Sequence, residues 1–142
     1  MLYYLDTCIW LNLFKKEGDS TKGKPYWIIA EEFIDNVRKN DGNIVVSTIV
    51  IKELTFKLDN INKALKFFKE NSDFISLVKT SSDDYDIARK IEYKNNFKIG
   101  FYDCLHIALA KRLNSILITR DRDLIDIAKE YVLVNRPEEL IN

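Results

Sequence analysis

The sequence predicts an α/β fold, a three-layer α/β/α sandwich around a mainly parallel central sheet. Three observations carry this. Short apolar runs of strand length alternate along the chain with longer segments of helical periodicity. The strand runs are apolar throughout, as in sheets covered on both faces. Clusters of turn residues separate one kind of segment from the other.

Residues 2–5 read as a short buried strand bounded by Asp6-Thr7, and residues 8–16 as a helix. The stretch Glu17-Gly18-Asp19-Ser20-Thr21-Lys22-Gly23-Lys24-Pro25 is polar and reads as a loop. From Tyr26 to Lys39 the apolar residues Ile28, Ile29, Phe33, Ile34 and Val37 recur at helical spacing. Asn40-Asp41-Gly42-Asn43 is a turn and Ile44-Val45-Val46 a buried strand. Helices are expected over 48–57 and 60–70, with a strand over 74–78. Ser81, followed by Asp83 and Asp84, opens a helix that runs to about Lys94, with a serine cap and acids in the first turn. After a loop at 95–100, residues 102–113 form the most apolar helix. A strand at 115–118, a helix at 122–129 and a last strand at 131–134 follow. There is no internal repeat and no low-complexity segment.

At 142 residues the chain is expected to be one domain, 1–142, with a sizeable core. Only 4 glycines and 2 prolines argue against long disordered linkers. The 22 basic residues balance the 22 acidic ones, so the bulk field exerts no pull on nucleic acid and such a role needs a local basic patch. The start Met1-Leu2-Tyr3-Tyr4-Leu5-Asp6 lacks a basic leader, and no apolar run approaches the roughly 20 residues of a membrane span. A soluble, cytoplasmic protein is the expectation. Cys8 and Cys104 lack the paired spacing of a thiolate metal site. They read as reduced buried residues, with a disulfide between them as the alternative.

Four acids stand at or next to the ends of these elements: Asp6 after the first strand, Glu53 on the 48–57 helix, Asp103 opening the 102–113 helix, and Asp121 after the 115–118 strand. Ligands of such sheets bind beyond the carboxyl ends of the strands, and the topology can bring all four acids to that edge. Carboxylates beside apolar runs are costly unless something pairs with them. A divalent cation is one such partner, and oxygen ligands suit Mg²⁺ or Mn²⁺. Taken singly, each acid has a plainer reading. Asp6, Asp121 and Asp123 serve as helix caps, Asp103 gains from a helix dipole, and Glu53 is an ordinary solvated glutamate.

Taken together, Leu5-Asp6-Thr7, Ser47 with Glu53-Leu54, Asp103-Cys104-Leu105-His106-Ile107-Ala108-Leu109-Ala110 and Ile118-Thr119-Arg120-Asp121-Arg122-Asp123-Leu124 resemble the PIN domain. The PIN domain is a family of metal-dependent ribonucleases. The match is in order and spans nearly the whole chain, and among its members small chains like this one look most like VapC-type toxins of prokaryotic toxin–antitoxin pairs. The resemblance implies a Rossmann-like sandwich, one or two Mg²⁺ or Mn²⁺ ions and endonucleolytic cleavage of RNA. It also implies a homodimer and a small antitoxin that blocks the site. It makes Asp6 and Asp103 direct metal ligands, Glu53 a ligand or the holder of a bound water, and Asp121 the fourth acid, with Asp123 a rival two residues on. Thr7 and Thr119, and more weakly Ser47, are expected to orient the carboxylates.

His106, the only histidine, lies one turn after Asp103 and reads as a packed, hydrogen-bonded residue or as a proton shuttle. Arg120, Arg122, Lys15 and Lys16 are candidates for phosphate contacts. Lys63, Lys66, Lys69, Lys90 and Lys94 read as solvated helix faces. Trp10 and Phe14, one turn apart, suggest an apolar strip for a second copy or an antitoxin helix. Three other functions compete: a PIN nuclease of RNA processing or quality control without an antitoxin, a PIN-like module that binds RNA or protein without cutting, and, more weakly, a flap-type DNA nuclease related by fold, whose chains are longer and carry more acids.

Overall fold

The computed structural model describes residues 1–141. Elements follow in the order β1 (Leu2–Leu5), α1 (Thr7–Lys15), β2 (Ser20–Thr21), β3 (Lys24–Pro25), α2 (Tyr26–Lys39), β4 (Asn43–Ser47), α3 (Thr48–Lys57), α4 (Asn62–Glu70), β5 (Ile75–Val78), α5 (Ser82–Lys94), α6 (Phe101–Arg112), β6 (Ile116–Ile118), α7 (Arg122–Ala128) and β7 (Val134–Asn135). A 3₁₀ turn covers Pro137–Glu139.

Five strands form one sheet in the order β5-β4-β1-β6-β7. All its pairings are parallel, with Tyr3 opposite both Ile44 and Ile116. Consecutive residues of the inner strands are buried: Tyr4 and Leu5, Ile44 to Val46, and Ile116 to Ile118. Successive strand residues point to opposite faces, so this continuous burial means that helices cover both. The α/β/α sandwich expected from the alternation is the observed fold.

Helix α6 is buried without interruption from Cys104 to Ala110. A helix apolar on all sides belongs in the interior. Its first turn emerges at the carboxyl edge of the sheet and carries Asp103.

Three expectations need correction. Residues 17–25 contain a two-stranded hairpin, β2 with β3, whose turn residues Lys22 and Gly23 both have positive φ, 52° and 78°. Such a turn matches the strand twist, and glycine adopts it without strain. The last strand is Val134–Asn135, not 131–134. Tyr131 and Val132 donate to the Ala128 carbonyl and so finish α7, and pairing begins only where Leu117 N–H donates to Leu133 at 2.9 Å. The Trp10–Phe14 strip is not a free surface. Trp10 is fully buried, stacks on Phe14 at 6.0 Å and meets Phe67 and Phe68 of α4 edge-on. The strip is an internal seam between α1 and α4.

Candidate active site

The carboxyl edge of the sheet is built by caps. Asp6 leaves β1 with its N–H donating to the Ile118 carbonyl of β6 at 2.9 Å. It then caps α1, its Oδ1 accepting Thr7 N–H at 2.8 Å. Its Oδ2 accepts the Thr119 hydroxyl at 2.8 Å. One strand over, Thr119 Oγ1 accepts Asp121 N–H at 3.2 Å, and Asp121 Oδ1 accepts Asp123 N–H and Leu124 N–H as the cap of α7. Parallel neighbours thus end side by side, and the residues that turn each strand into a helix are acids and hydroxyls.

Glu53 reaches the same place from α3. Its Oε1 accepts the Thr7 hydroxyl at 2.7 Å and meets His106 Nε2 at 2.7 Å. His106 is fully buried, and its Nδ1 meets the Tyr4 hydroxyl at 2.6 Å. The Tyr4 hydroxyl contacts Ser47 Oγ at 2.7 Å, and Ser47 caps α3 by accepting Val50 N–H. A continuous buried chain of hydrogen bonds therefore runs from the start of α3 through Tyr4 and His106 back to Glu53 on the same helix. Satisfied networks of this kind fix rotamers. Asp6 Oδ1 lies 3.5 Å from His106 Nε2.

Burial opposes charge on His106. The hydrogen bond to Glu53 and the charges of Asp6, Glu53 and Asp103 nevertheless raise its pKa above the ordinary value. Burial also works to raise Glu53, but the hydrogen bond and charge of His106, with the Thr7 hydroxyl, outweigh it and hold the carboxyl below its usual range. Each shift thus favours the charged form of its group. Tyr4 is raised by burial and stays protonated.

Asp103 has no such relief. Burial raises its carboxyl to about 6, the charge of Asp6 adds to this, and Asp121 and Glu53 add further, while His106 opposes. It is a half-buried acid facing three others. The four acids are neighbours rather than a closed cage. Among the described residues, no three carboxylate, imidazole or thiol side chains stand close enough to hold one ion.

The structure thus brings together Asp6, Thr7, Glu53, Asp103, Thr119 and Asp121, with Ser47 and His106 behind them. Asp121 and Asp123 are both exposed, but Asp121 is tied to the group through Thr119, whereas Asp123 only donates its N–H to the Asp121 cap. Lys15 and Lys16 are exposed at the end of α1, and the lysines of α4 and α5 face solvent as expected. Tyr4 escaped the sequence reading, because a tyrosine in an apolar run looks like strand core. Both cysteines are free thiols, and Cys8 Sγ donates to Asp6 Oδ2 at 3.3 Å. A larger cavity of about 730 Å³ opens near the amino ends of β1 and β6, lined by Met1, Leu2, Ile116 and Tyr131, and does not include these acids.

A parallel sandwich whose carboxyl edge gathers acids defines a known class. The PIN domain profile matches residues 3–130, and the chain belongs to the PIN domain family. No protein of curated function matches it. Among solved structures, it resembles VapBC2 from Rickettsia felis, bound to a DNA fragment from its promoter, at 19% identity and TM-score 0.69, over 96% of this chain and 98% of that one. VapBC-1 from nontypeable Haemophilus influenzae is similar at 19% identity and TM-score 0.67, over 97% and 99%. A toxin–antitoxin complex from Klebsiella pneumoniae is similar at 18% identity and TM-score 0.64, over 95% and 97%. At these identities the likeness is one of fold. Among the described residues, no helix is long and apolar enough to cross a membrane.

Proposed function

We propose that this protein is a divalent-metal-dependent endoribonuclease and the toxin of a toxin–antitoxin pair, its site formed by Asp6, Glu53, Asp103 and Asp121. The observation that carries the reading is the uncompensated Asp103 carboxyl, raised by burial and by the charge of Asp6, Asp121 and Glu53. His106 adjoins the group but is already engaged by Glu53, on which Lys57 also acts. A cation of charge two would offset that charge and carboxylate oxygens suit Mg²⁺ or Mn²⁺, but among the described residues no three side chains surround one point as they stand, so binding requires the acids to draw together. When bound, such an ion supplies Lewis-acid activation of water and neutralises charge gathering on the phosphate.

The chain's own residues do the positioning. The Thr7 backbone and the Thr119 hydroxyl fix both oxygens of Asp6; Oδ1 keeps a lone pair for an ion, whereas Oδ2 also accepts the Cys8 thiol. Thr7 and His106 hold Oε1 of Glu53 and leave Oε2 for an ion or a water. Asp121 Oδ1 is taken by the α7 cap, so Oδ2 is its remaining donor. No side chain is needed as a covalent nucleophile.

The similar folds named in toxin–antitoxin complexes support an antitoxin partner here, with homodimerisation and a cytoplasmic setting part of the same proposal. A labelled single-stranded RNA incubated with Mg²⁺, Mn²⁺ or EDTA, beside Asp103→Asn, tests the enzyme. Cleavage that needs metal and disappears in the variant is expected. Cleavage surviving in EDTA, or unchanged in Asp103→Asn, overturns the site. Failure of a small protein encoded next to the gene to suppress cleavage favours an RNA-processing nuclease instead.

A further inference from the structure

An open pocket of about 490 Å³ lies beyond the ends of β6 and β7, lined by the two residues that flank Asp121 in the chain. Lys22, Arg120, Arg122 and Arg136 line it, with Glu138 and Glu139 as the only carboxylates. On a chain with no net charge, this is a local surplus of positive charge. It adjoins the site through one residue, since Arg120 stands between Thr119 and Asp121. The β2–β3 hairpin brings Lys22, and the segment after β7 brings Arg136.

Arg120 is the unusual member. Its guanidinium lies 3.7 Å over the Tyr26 ring, and its Nη1 pairs with Glu138 at 2.9 Å. Its Nε and Nη2 are buried and meet no acceptor. Those two nitrogens form the side of the guanidinium that grips an oxyanion with two parallel N–H donors. Buried donors without a partner are rare in a finished structure, and an absent anion or water is the ordinary reason. Both nitrogens are covered, so an incoming anion first meets the exposed Lys22 and Arg122.

We propose that this pocket holds a phosphate of the substrate strand next to the bond cut at the acids. The proposal rests on the nuclease reading above and adds the side on which the strand leaves the site. A lone carboxylate ligand would only repeat what Glu138 and Glu139 already supply. A nucleic-acid strand instead presents successive phosphates, one for the acidic site and its ion, another for the cations one residue away.

The test uses Arg122→Gln and Arg136→Gln, singly and together, which leave the buried Arg120–Tyr26 contact in place. Binding of labelled single-stranded RNA is measured by anisotropy across a salt series in the Asp103→Asn background, which prevents cleavage. The double variant is expected to bind about tenfold more weakly near ~0.1 M salt, with the slope of log affinity against log salt falling by about 0.7 per lost contact. The loss should be the same for unrelated RNA sequences, because backbone contacts carry no sequence information. Unchanged affinity and slope overturn the proposal, and the nuclease reading stands if the wild type still cleaves RNA. Inorganic pyrophosphate gives an arm independent of cleavage. It should raise the melting temperature of the full chain and fail to do so in the double variant, and no rise in the wild type counts against the pocket. A protein that binds pyrophosphate here but no RNA has a site for a free phosphate ligand, which overturns the strand assignment.

Discussion

Neutralising Asp103 should stabilise the metal-free protein, and the sign depends on pH. Burial and then the charge of Asp6 raise its carboxyl from 3.8 to about 6. A carboxyl that holds its proton more tightly folded than unfolded destabilises the fold when ionised. The penalty is absent below about pH 4, grows up to about pH 6 and is constant above it. At about 1.4 kcal/mol per tenfold change in proton affinity, the full displacement corresponds to about 3 kcal/mol. Asp103 is only half-buried, and solvent screening reduces this to about 1.5 kcal/mol. Asn forfeits the attraction of a charge to the start of α6, about 0.5 kcal/mol. A net gain of about 1 kcal/mol remains for Asp103→Asn near neutral pH, or about 3–4 °C in melting temperature for a chain of this size. Thermal unfolding followed by circular dichroism in EDTA, at about pH 7.5 and about pH 4.5, measures it, and the gain should shrink at the lower value. Excess Mg²⁺ or Mn²⁺ should raise the wild type's melting temperature and raise the variant's less. A variant no more stable than wild type near neutral pH, or a gain independent of pH, would refute the repulsion argument.

Two further expectations concern the scaffold. Arg112 grips the buried Asp84 through two 2.9 Å contacts, from Nε and Nη2, and Asp84 also closes the capping box of α5. Asp84→Asn should cost about 2–3 kcal/mol in urea unfolding, less than a fully buried pair because Arg112 is partly exposed. Burial pushes the Asp84 carboxyl up, but Arg112 and Ser81 outweigh it and hold it low, so its contribution is present near neutral pH and lost as pH falls below the usual carboxylate range. A difference between wild type and variant that persists unchanged in acid would contradict this. Tyr4→Phe removes the hydroxyl between His106 and Ser47 and should cost about 1–3 kcal/mol, because a buried imidazole nitrogen loses its partner. An unaltered urea midpoint would show that the network rearranges freely.

The layers of the fold were legible because the two periodicities differ. Residues 2–5 and 44–46 are too short and too apolar to be anything but buried strand, and the spacing from Ile28 to Val37 is helical. What failed was local or long-range. The hairpin at Ser20–Pro25 hides in polar residues, because its signal is the backbone at Lys22-Gly23 and not a hydrophobic pattern. The Trp10–Phe14 spacing gave the right face of α1, but nothing near it in the chain says that Phe67 and Phe68 cover that face. Asp84 was legible as a cap, whereas its pairing with a residue 28 positions on was not. At the carboxyl edge, Asp6 and Asp121 stood out because the chain there passes from strand to helix. The role of Tyr4 depends on His106, 102 residues away, and no spacing encodes it.

Asp121 and Asp123 could not be ranked from the sequence, since each stands at the start of the same helix. The structure separates them by what their carboxylates do. Asp121 caps α7 through Oδ1 alone, and its own N–H donates to Thr119 Oγ1, whose proton goes to Asp6. That hydroxyl therefore ties the backbone of Asp121 to the carboxylate of Asp6. Asp121 is also among the charges that raise Asp103. Capping and membership of the acidic group are thus not alternatives, because one oxygen serves each. Asn caps as well as Asp, so Asp121→Asn should leave α7 in place while removing a donor of negative charge. Calorimetric titration with Mn²⁺ should then show affinity reduced about tenfold or more, against less than about twofold for Asp123→Asn. If Asp123→Asn weakened Mn²⁺ binding as much as Asp121→Asn, the fourth acid would have to be reassigned, and α7 would have to turn its second residue inward when the ion binds.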